Sequence, residues 1–192
     1  MHRRLIFQGC VGAIGLLLAG ATQARECNGA VFPEQLQSEA GTLVLNGLGM
    51  RQATLFKVNV YVSALYLPKP SADARAILES AAPYELVMAF VRNVGAKDIA
   101  NGWSEGFERN GREQLPALSG RIATLTGWMS DIKTGQRMQF TFRPGVGLQA
   151  IINGTPKGTI TGDDFGRAFL SIWLGVPPNP EIKAGMLGGP CS

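Results

Sequence analysis

The chain has 192 residues, 45% of them hydrophobic and 17% charged, with a formal net charge of +4. That length suits a single domain with a substantial core, and the charge, spread without any run of one sign, argues against a nucleic-acid binder. The one histidine is His2, which excludes Ser–His and Cys–His nucleophile pairs, an H-E-x-x-H zinc site and histidine-ligated haem from the body of the protein.

The chain opens with a positive His2-Arg3-Arg4 segment, an apolar uncharged run over residues 5–21, and a Thr22-Gln23-Ala24 cleavage pattern before Arg25. This is the signature of a secretory signal peptide, residues 1–24, removed on export, with a bacterial periplasm or the exterior as the destination. An uncleaved anchor is the competing reading, but a run of about 17 residues is marginal for a membrane span. Cys10 lies within the apolar run and is followed by further apolar residues, so it does not read as a lipid-acceptor cysteine. Removing 24 residues from 192 leaves 168, a single domain over residues 25–192. Losing Arg3 and Arg4 leaves 16 basic against 14 acidic side chains, a net +2. Two cysteines remain, Cys27 and Cys191, one near each end. An even pair in an exported protein reads as a disulfide, and two distant thiols without neighbouring ligands cannot build a tetrahedral metal shell.

A short alternating strand over residues 42–46 leads to Gly47-Leu48-Gly49-Met50-Arg51, where the glycine pair predicts a tight turn. Residues 56–67 predict a long strand with Val58, Val60 and Val62 on one register and Lys57, Asn59, Tyr61 and Ser63 on the other. That second register is either a wet face or the wall of a semi-polar pocket. Pro68-Lys69-Pro70 ends the strand, and Ser71 caps a helix through about residue 80. Residues 84–92 predict a strand. Residues 96–112 predict an amphipathic helix carrying Ile99, Trp103 and Phe107, and residues 119–131 a second helix. Strands follow over 137–143, 147–152 and 157–161, with Asn153-Gly154 as the strongest hairpin signal. Gly162-Asp163-Asp164 starts a helix bearing Phe165, Phe169, Ile172 and Trp173, with acidic groups suited to its N-terminus. Pro177-Pro178 stops it, and residues 181–186 form a last short helix. Trp103, Trp128 and Trp173 read as core.

The run G-x-G-x-R at residues 47–51, followed by K-V-x-V-Y-V-S-A-L-Y-L at 57–67, is similar to the opening motif of the chalcone isomerase-like family. Ser171-Ile172-Trp173-Leu174-Gly175 with Pro177-Pro178 resembles its closing helix pair, and the elements between them follow the family's order. The resemblance covers about residues 41–187. It implies an α+β fold, an antiparallel sheet with helices layered on one face, in the manner of an open-faced sandwich, and a ligand cleft between sheet and helices. The element order read from the sequence agrees with that class.

In the chalcone isomerases the resemblance implies a cofactor-free ring closure, with an arginine holding the substrate oxyanion while tyrosine, threonine, lysine and asparagine polarise the carbonyl. Arg51 matches that arginine. The threonine of the next strand falls on Tyr61, the tyrosine and asparagine of the middle helix fall near Asp98 and Glu105, and the lysine before that helix near Val91. None of these four matches. Fatty-acid-binding members of the family carry an arginine after the glycines and a tyrosine on the next strand, where Arg51 and Tyr61 stand here.

A guanidinium forks onto a carboxylate, a phenol donates one more hydrogen bond, and apolar walls bury the rest of the ligand. The reading is therefore a cofactor-independent, monomeric protein that binds a fatty acid or other small amphiphilic carboxylate through Arg51, Tyr61 and Asn59. It carries no metal and makes no contact with nucleic acid. An isomerase (intramolecular lyase) with a rearranged site on Arg51 and Tyr61, or a ligand-free interaction module of the cell envelope, are the alternatives. Arg51 paired to a surface carboxylate, and Tyr61 as a core tyrosine bonded to backbone, are open at this level. Arg92-Asn93 is a further polar candidate or a plain strand end.

Overall fold

The computed structural model describes residues 23–53 and 56–191. The expected signal peptide lies outside them apart from Gln23 and Ala24. No described helix is long and apolar enough to cross a membrane.

Strands β1 (Ala24–Cys27) and β2 (Ala30–Pro33) form a hairpin. Its turn, Asn28-Gly29, has positive φ at both residues, the conformation a two-residue hairpin needs. The remaining strands are β3 (Gln35–Ser38), β4 (Gly41–Ala53), β5 (Val58–Leu67), β6 (Tyr84–Phe90), β7 (Arg137–Arg143), β8 (Gly147–Ile152) and β9 (Thr155–Ile160). Among the described residues they form one seven-stranded antiparallel sheet, each strand beside its sequence neighbours. The helices are α1 (Ala74–Glu79), α2 (Ala96–Gly111), α3 (Leu115–Gly127), α4 (Asp163–Leu174) and α5 (Pro180–Met186).

Strand alternation divides two cores. Leu65, Leu67, Leu86, Met88, Phe140, Phe142 and Leu148 face the helices. Val62, Ala64, Tyr66, Val87 and Ala89 face the other way and pack with Phe32, Leu43 and Cys27, so the β1–β2 hairpin covers part of the second face. On the helix side Trp103 stacks on Phe169 at 5.0 Å and meets Phe140 and Trp173 edge-on at 5.1 and 5.9 Å. Trp103 and Trp173 are thus core residues, while Trp128 is half-buried and packs against the same core.

Three sequence expectations change. The segment 47–51 is no turn: it lies within β4, one strand of 13 residues, and neither glycine has a positive φ. The glycines serve approach rather than turning. A Cβ on Gly47 would collide with the Gly185 carbonyl, one on Gly49 with the Ile182 carbonyl, and one on Gly185 with the Leu48 carbonyl. Helix α5 therefore lies backbone against backbone on β4. The cap of α1 is Asp73, whose carboxylate accepts from the Arg75 and Ala76 amides. The second middle helix starts at Leu115, because Pro116 fits its first turn. The β8–β9 turn stands as read, with positive φ at Asn153 and Gly154.

Cys27 and Cys191 form a disulfide, with Cα atoms 6.2 Å apart and a sequence separation of 164. A loop of that size contributes about 5 kcal/mol in the chain-entropy description. The double variant Cys27→Ser/Cys191→Ser should melt lower by about 10 °C or more in a thermal scan, and an unchanged midpoint would show that the bond adds nothing to stability.

The glycines divide by environment, which urea denaturation can read. Gly49→Ala should destabilise by about 3 kcal/mol or more, because backbone atoms of α5 cannot give way to the methyl group. Gly120→Ala, on an exposed turn of α3 with nothing within 4 Å, should stabilise by about 0.5–1 kcal/mol.

Candidate functional site

Arg51 on β4 and Tyr61 on β5 are direct cross-strand partners, so both side chains stand on one face of the sheet. It is the helix face: Gly47 and Gly49, of the same parity as Arg51, lie under α5, and Tyr61 packs against the helix-side core. The Tyr61 ring tilts against Phe90 at 5.4 Å. Its hydroxyl accepts a hydrogen bond of 3.1 Å from Trp173 Nε1 of α4, not from backbone. The indole is thus satisfied, and no protein atom among the described residues accepts the phenolic hydrogen.

Burial is the largest influence on that phenol and pushes its pKa above the usual value, while the Trp173 hydrogen bond and the charges of Arg51 and Arg109 pull it back. Tyr61 is therefore a hydrogen-bond donor at neutral pH, not a base. Arg51 Nη1 donates to the Gln52 carbonyl, and among the described residues no carboxylate stands within ion-pair distance of Arg51.

A bulge between Arg51 and Gln52 shifts the register by one residue, so Gln52 pairs with Asn59. Gln52 Nε2 donates to Asn59 Oδ1 at 3.1 Å, and Asn59 Nδ2 reaches Asn28 of the β1–β2 turn at 3.5 Å. Simple alternation places Asn59 with Tyr61. The bulge instead turns it toward the hairpin on the other face. Ser63 keeps the Tyr61 parity, and its hydroxyl is buried with no hydrogen-bond partner among the described residues. Asp98 and Glu105 lie exposed on α2. Asn93 accepts from the Thr134 amide and hydroxyl at 3.0 and 3.3 Å, a loop contact rather than a site contact, and Arg92 is exposed.

The segment 175–179 spans from the helix layer to this corner of the sheet. At one end Asn110 of α2 donates to the Val176 carbonyl at 3.1 Å and accepts from its amide at 2.6 Å, while Arg109 Nε donates to the same carbonyl at 3.2 Å. At the other, Asn179 donates to the Met50 carbonyl and accepts from the Gln52 amide, both at 3.1 Å. Sequence reading missed Arg109, Asn110 and Asn179, because nothing local marks residues whose partners lie 66 to 129 positions away.

Two surface concavities lie elsewhere. One of about 770 Å³ is lined by α1, Leu174, Lys183 and Leu187, and one of about 510 Å³ by α2, α3 and α4, with Phe107, Leu118 and Arg167 among its walls. Neither is lined by Arg51, Tyr61 or Asn59.

Tyr61→Phe should leave the buried Trp173 indole without an acceptor and cost about 1–3 kcal/mol in chemical denaturation. An unchanged stability would show that this hydrogen bond does not help hold α4 to the sheet.

The description "Chalcone isomerase-like" belongs to a family model that matches residues 24–188. Among solved structures, a fatty-acid binding protein of Arabidopsis thaliana superposes with a TM-score of 0.68 at 15% sequence identity, covering 86% of this chain and 96% of that one. A comparison with functionally curated proteins finds no match. The plant protein establishes the shared fold, an antiparallel sheet with helices packed on one side, and the family match spans nearly all the described residues: the chain belongs to the chalcone isomerase-like family.

Proposed function

We propose that this protein is an exported binding protein that holds a fatty acid or other small amphiphilic carboxylate, without turning it over, at Arg51 and Tyr61. The observation that carries the reading is the cross-strand pairing of these two residues on the helix face. There a guanidinium bonded to the Gln52 carbonyl, with no carboxylate partner among the described residues, shares the face with a phenol whose oxygen is held by Trp173 and whose hydrogen has no acceptor among those residues. A carboxylate satisfies both: two oxygens for the guanidinium fork, one of them shared with the phenol. Phe90, against the Tyr61 ring, begins an apolar wall for the aliphatic part.

Three lines support binding over turnover. The raised pKa keeps Tyr61 protonated, so it can orient an oxygen but not take a proton from carbon or oxygen at neutral pH. The positions that fall nearest the isomerases' acid–base groups hold an exposed aspartate and an exposed glutamate on α2, and a valine at residue 91. The fold is shared with a protein described as fatty-acid binding. Export is supported by the signal-peptide pattern of residues 1–24 and by the Cys27–Cys191 bond, which suits an oxidising compartment such as the periplasm.

The test is calorimetric titration of decanoate into delipidated protein, with native mass spectrometry of freshly purified protein to detect a retained acid. Arg51→Ala should weaken decanoate binding by about 1.5–3 kcal/mol, the range for a hydrogen bond to a charged group. Arg51→Lys, which keeps charge but loses the fork, should fall between it and the wild type. No decanoate binding, or binding indifferent to Arg51, would overturn the assignment. Turnover of a chalcone-type substrate that disappears in Arg51→Ala would replace it with the isomerase reading.

A further inference from the structure

We propose that Arg109 is a second cationic ligand of the same site, and that the pair Arg51–Arg109 makes it select amphiphiles whose head group carries two negative charges, of the phosphate-monoester kind, over monocarboxylates. This rests on the reading that the site takes an amphiphilic anion, and adds which head group it prefers.

Arg109 lies in the last turn of α2 and is fixed through one nitrogen: Nε donates to the Val176 carbonyl at 3.2 Å. Its two terminal nitrogens make no hydrogen bond to the described residues. Neighbouring Asn110 locks the Val176 backbone through donated and accepted bonds of 3.1 and 2.6 Å. The guanidinium is therefore carried on a fixed loop rather than on a free side chain alone. Val176 stands three residues beyond Trp173, whose indole reaches the Tyr61 hydroxyl at 3.1 Å. Three residues further on, Asn179 holds Met50 and Gln52, which flank Arg51. The two arginines are thus fastened at the two ends of one short segment, with Tyr61 bonded to the helix that leads into it. Against the larger effect of burial, the charges of both arginines pull the Tyr61 pKa down.

Charge accounting makes the selection. Five ion pairs join described residues, and none includes Arg51 or Arg109. Glu181, on the adjoining helix, is already engaged by Lys57 at 3.4 Å and by Asn179 at 3.2 Å. The described residues along segment 175–179 therefore include two guanidiniums without an ion pair, one anchored at each end, and one neutral donor, the Tyr61 hydroxyl, bonded to the helix that leads into the segment. A monocarboxylate compensates one positive charge and has two oxygens for three donor groups. A phosphate monoester dianion compensates both and offers three terminal oxygens, one for each guanidinium and one for the phenol.

The test is titration of decyl phosphate and decanoate, each below its micelle concentration, into the delipidated full mature chain at pH 8. Decyl phosphate should bind about tenfold more tightly. Arg109→Gln should abolish that preference, weakening decyl phosphate binding by about tenfold more than it weakens decanoate binding. At pH 5.5, below the second phosphate pKa of about 6, the wild-type preference should shrink, a response that a purely structural Arg109 would not produce. Equal binding of the two ligands, or a preference that survives Arg109→Gln, overturns this inference. If decanoate then still depends on Arg51, the underlying assignment stands. If neither ligand binds the wild type, both fall together.

Discussion

The direct backbone contact between β4 and α5 is the constraint on which the rest of this structure depends. Gly47, Gly49 and Gly185 remove the three Cβ atoms that would separate strand from helix, and the chain's closing segment is thereby seated on its opening strand. A bulge at Asn46 lets that residue clamp the arrangement. Its amide donates to the Ser71 carbonyl at 3.0 Å and the Met186 carbonyl at 2.7 Å, and accepts from the Ser71 amide at 2.7 Å. Asn46 is buried with all three bonds made, so a polar side chain inside the fold costs little. Cys191, five residues past α5, then falls beside Cys27, and the disulfide fixes what the glycines allow.

That same contact sets the candidate site. Arg51 stands two residues beyond Gly49 on the face α5 covers, at the point where the strand leaves the helix. Asn179, just before α5, ties the helix start to Met50 and Gln52 on either side of it. The aromatic group of Trp103, Phe140, Phe169 and Trp173 fills the layer between sheet and helices and presents one polar atom, the Trp173 indole nitrogen, to Tyr61. At this edge the tyrosine oxygen satisfies a buried donor that packing alone would leave unpaired.

Electrostatics follows from where the charges are left. The ion pairs of the described residues sit largely at the surface, where each contributes little. Glu85 is an exception to surface placement: it is buried on the face away from the helices, with Thr141 at 3.4 Å, and burial raises its pKa. A raised carboxyl pKa means that the folded state binds its proton more tightly than the unfolded chain does. Its contribution to stability is therefore largest in acid and lost as pH rises through the folded value. The Arg51 corner has the opposite character, a positive charge bonded to the Gln52 carbonyl and without an ion-pair partner among the described residues.

The sequence by itself determined the class of fold and most of its elements, because strand alternation, helix periodicity and the Asn153-Gly154 turn are written in neighbouring residues. It also singled out Arg51 and Tyr61 in the run from Gly47 to Leu67, but their cross-strand pairing came from the register of β4 against β5. Only the tertiary structure decided what the glycines are for. A residue chosen for the absence of a Cβ looks the same in sequence whether it turns the chain or admits a helix from 130 residues away. Only the structure also decided that Asn59 turns away from Tyr61, since one residue of bulge reverses every side chain beyond it. Arg109, Asn110 and Asn179 enter through contacts made across the whole chain, and no local pattern encodes a partner that the fold alone brings near.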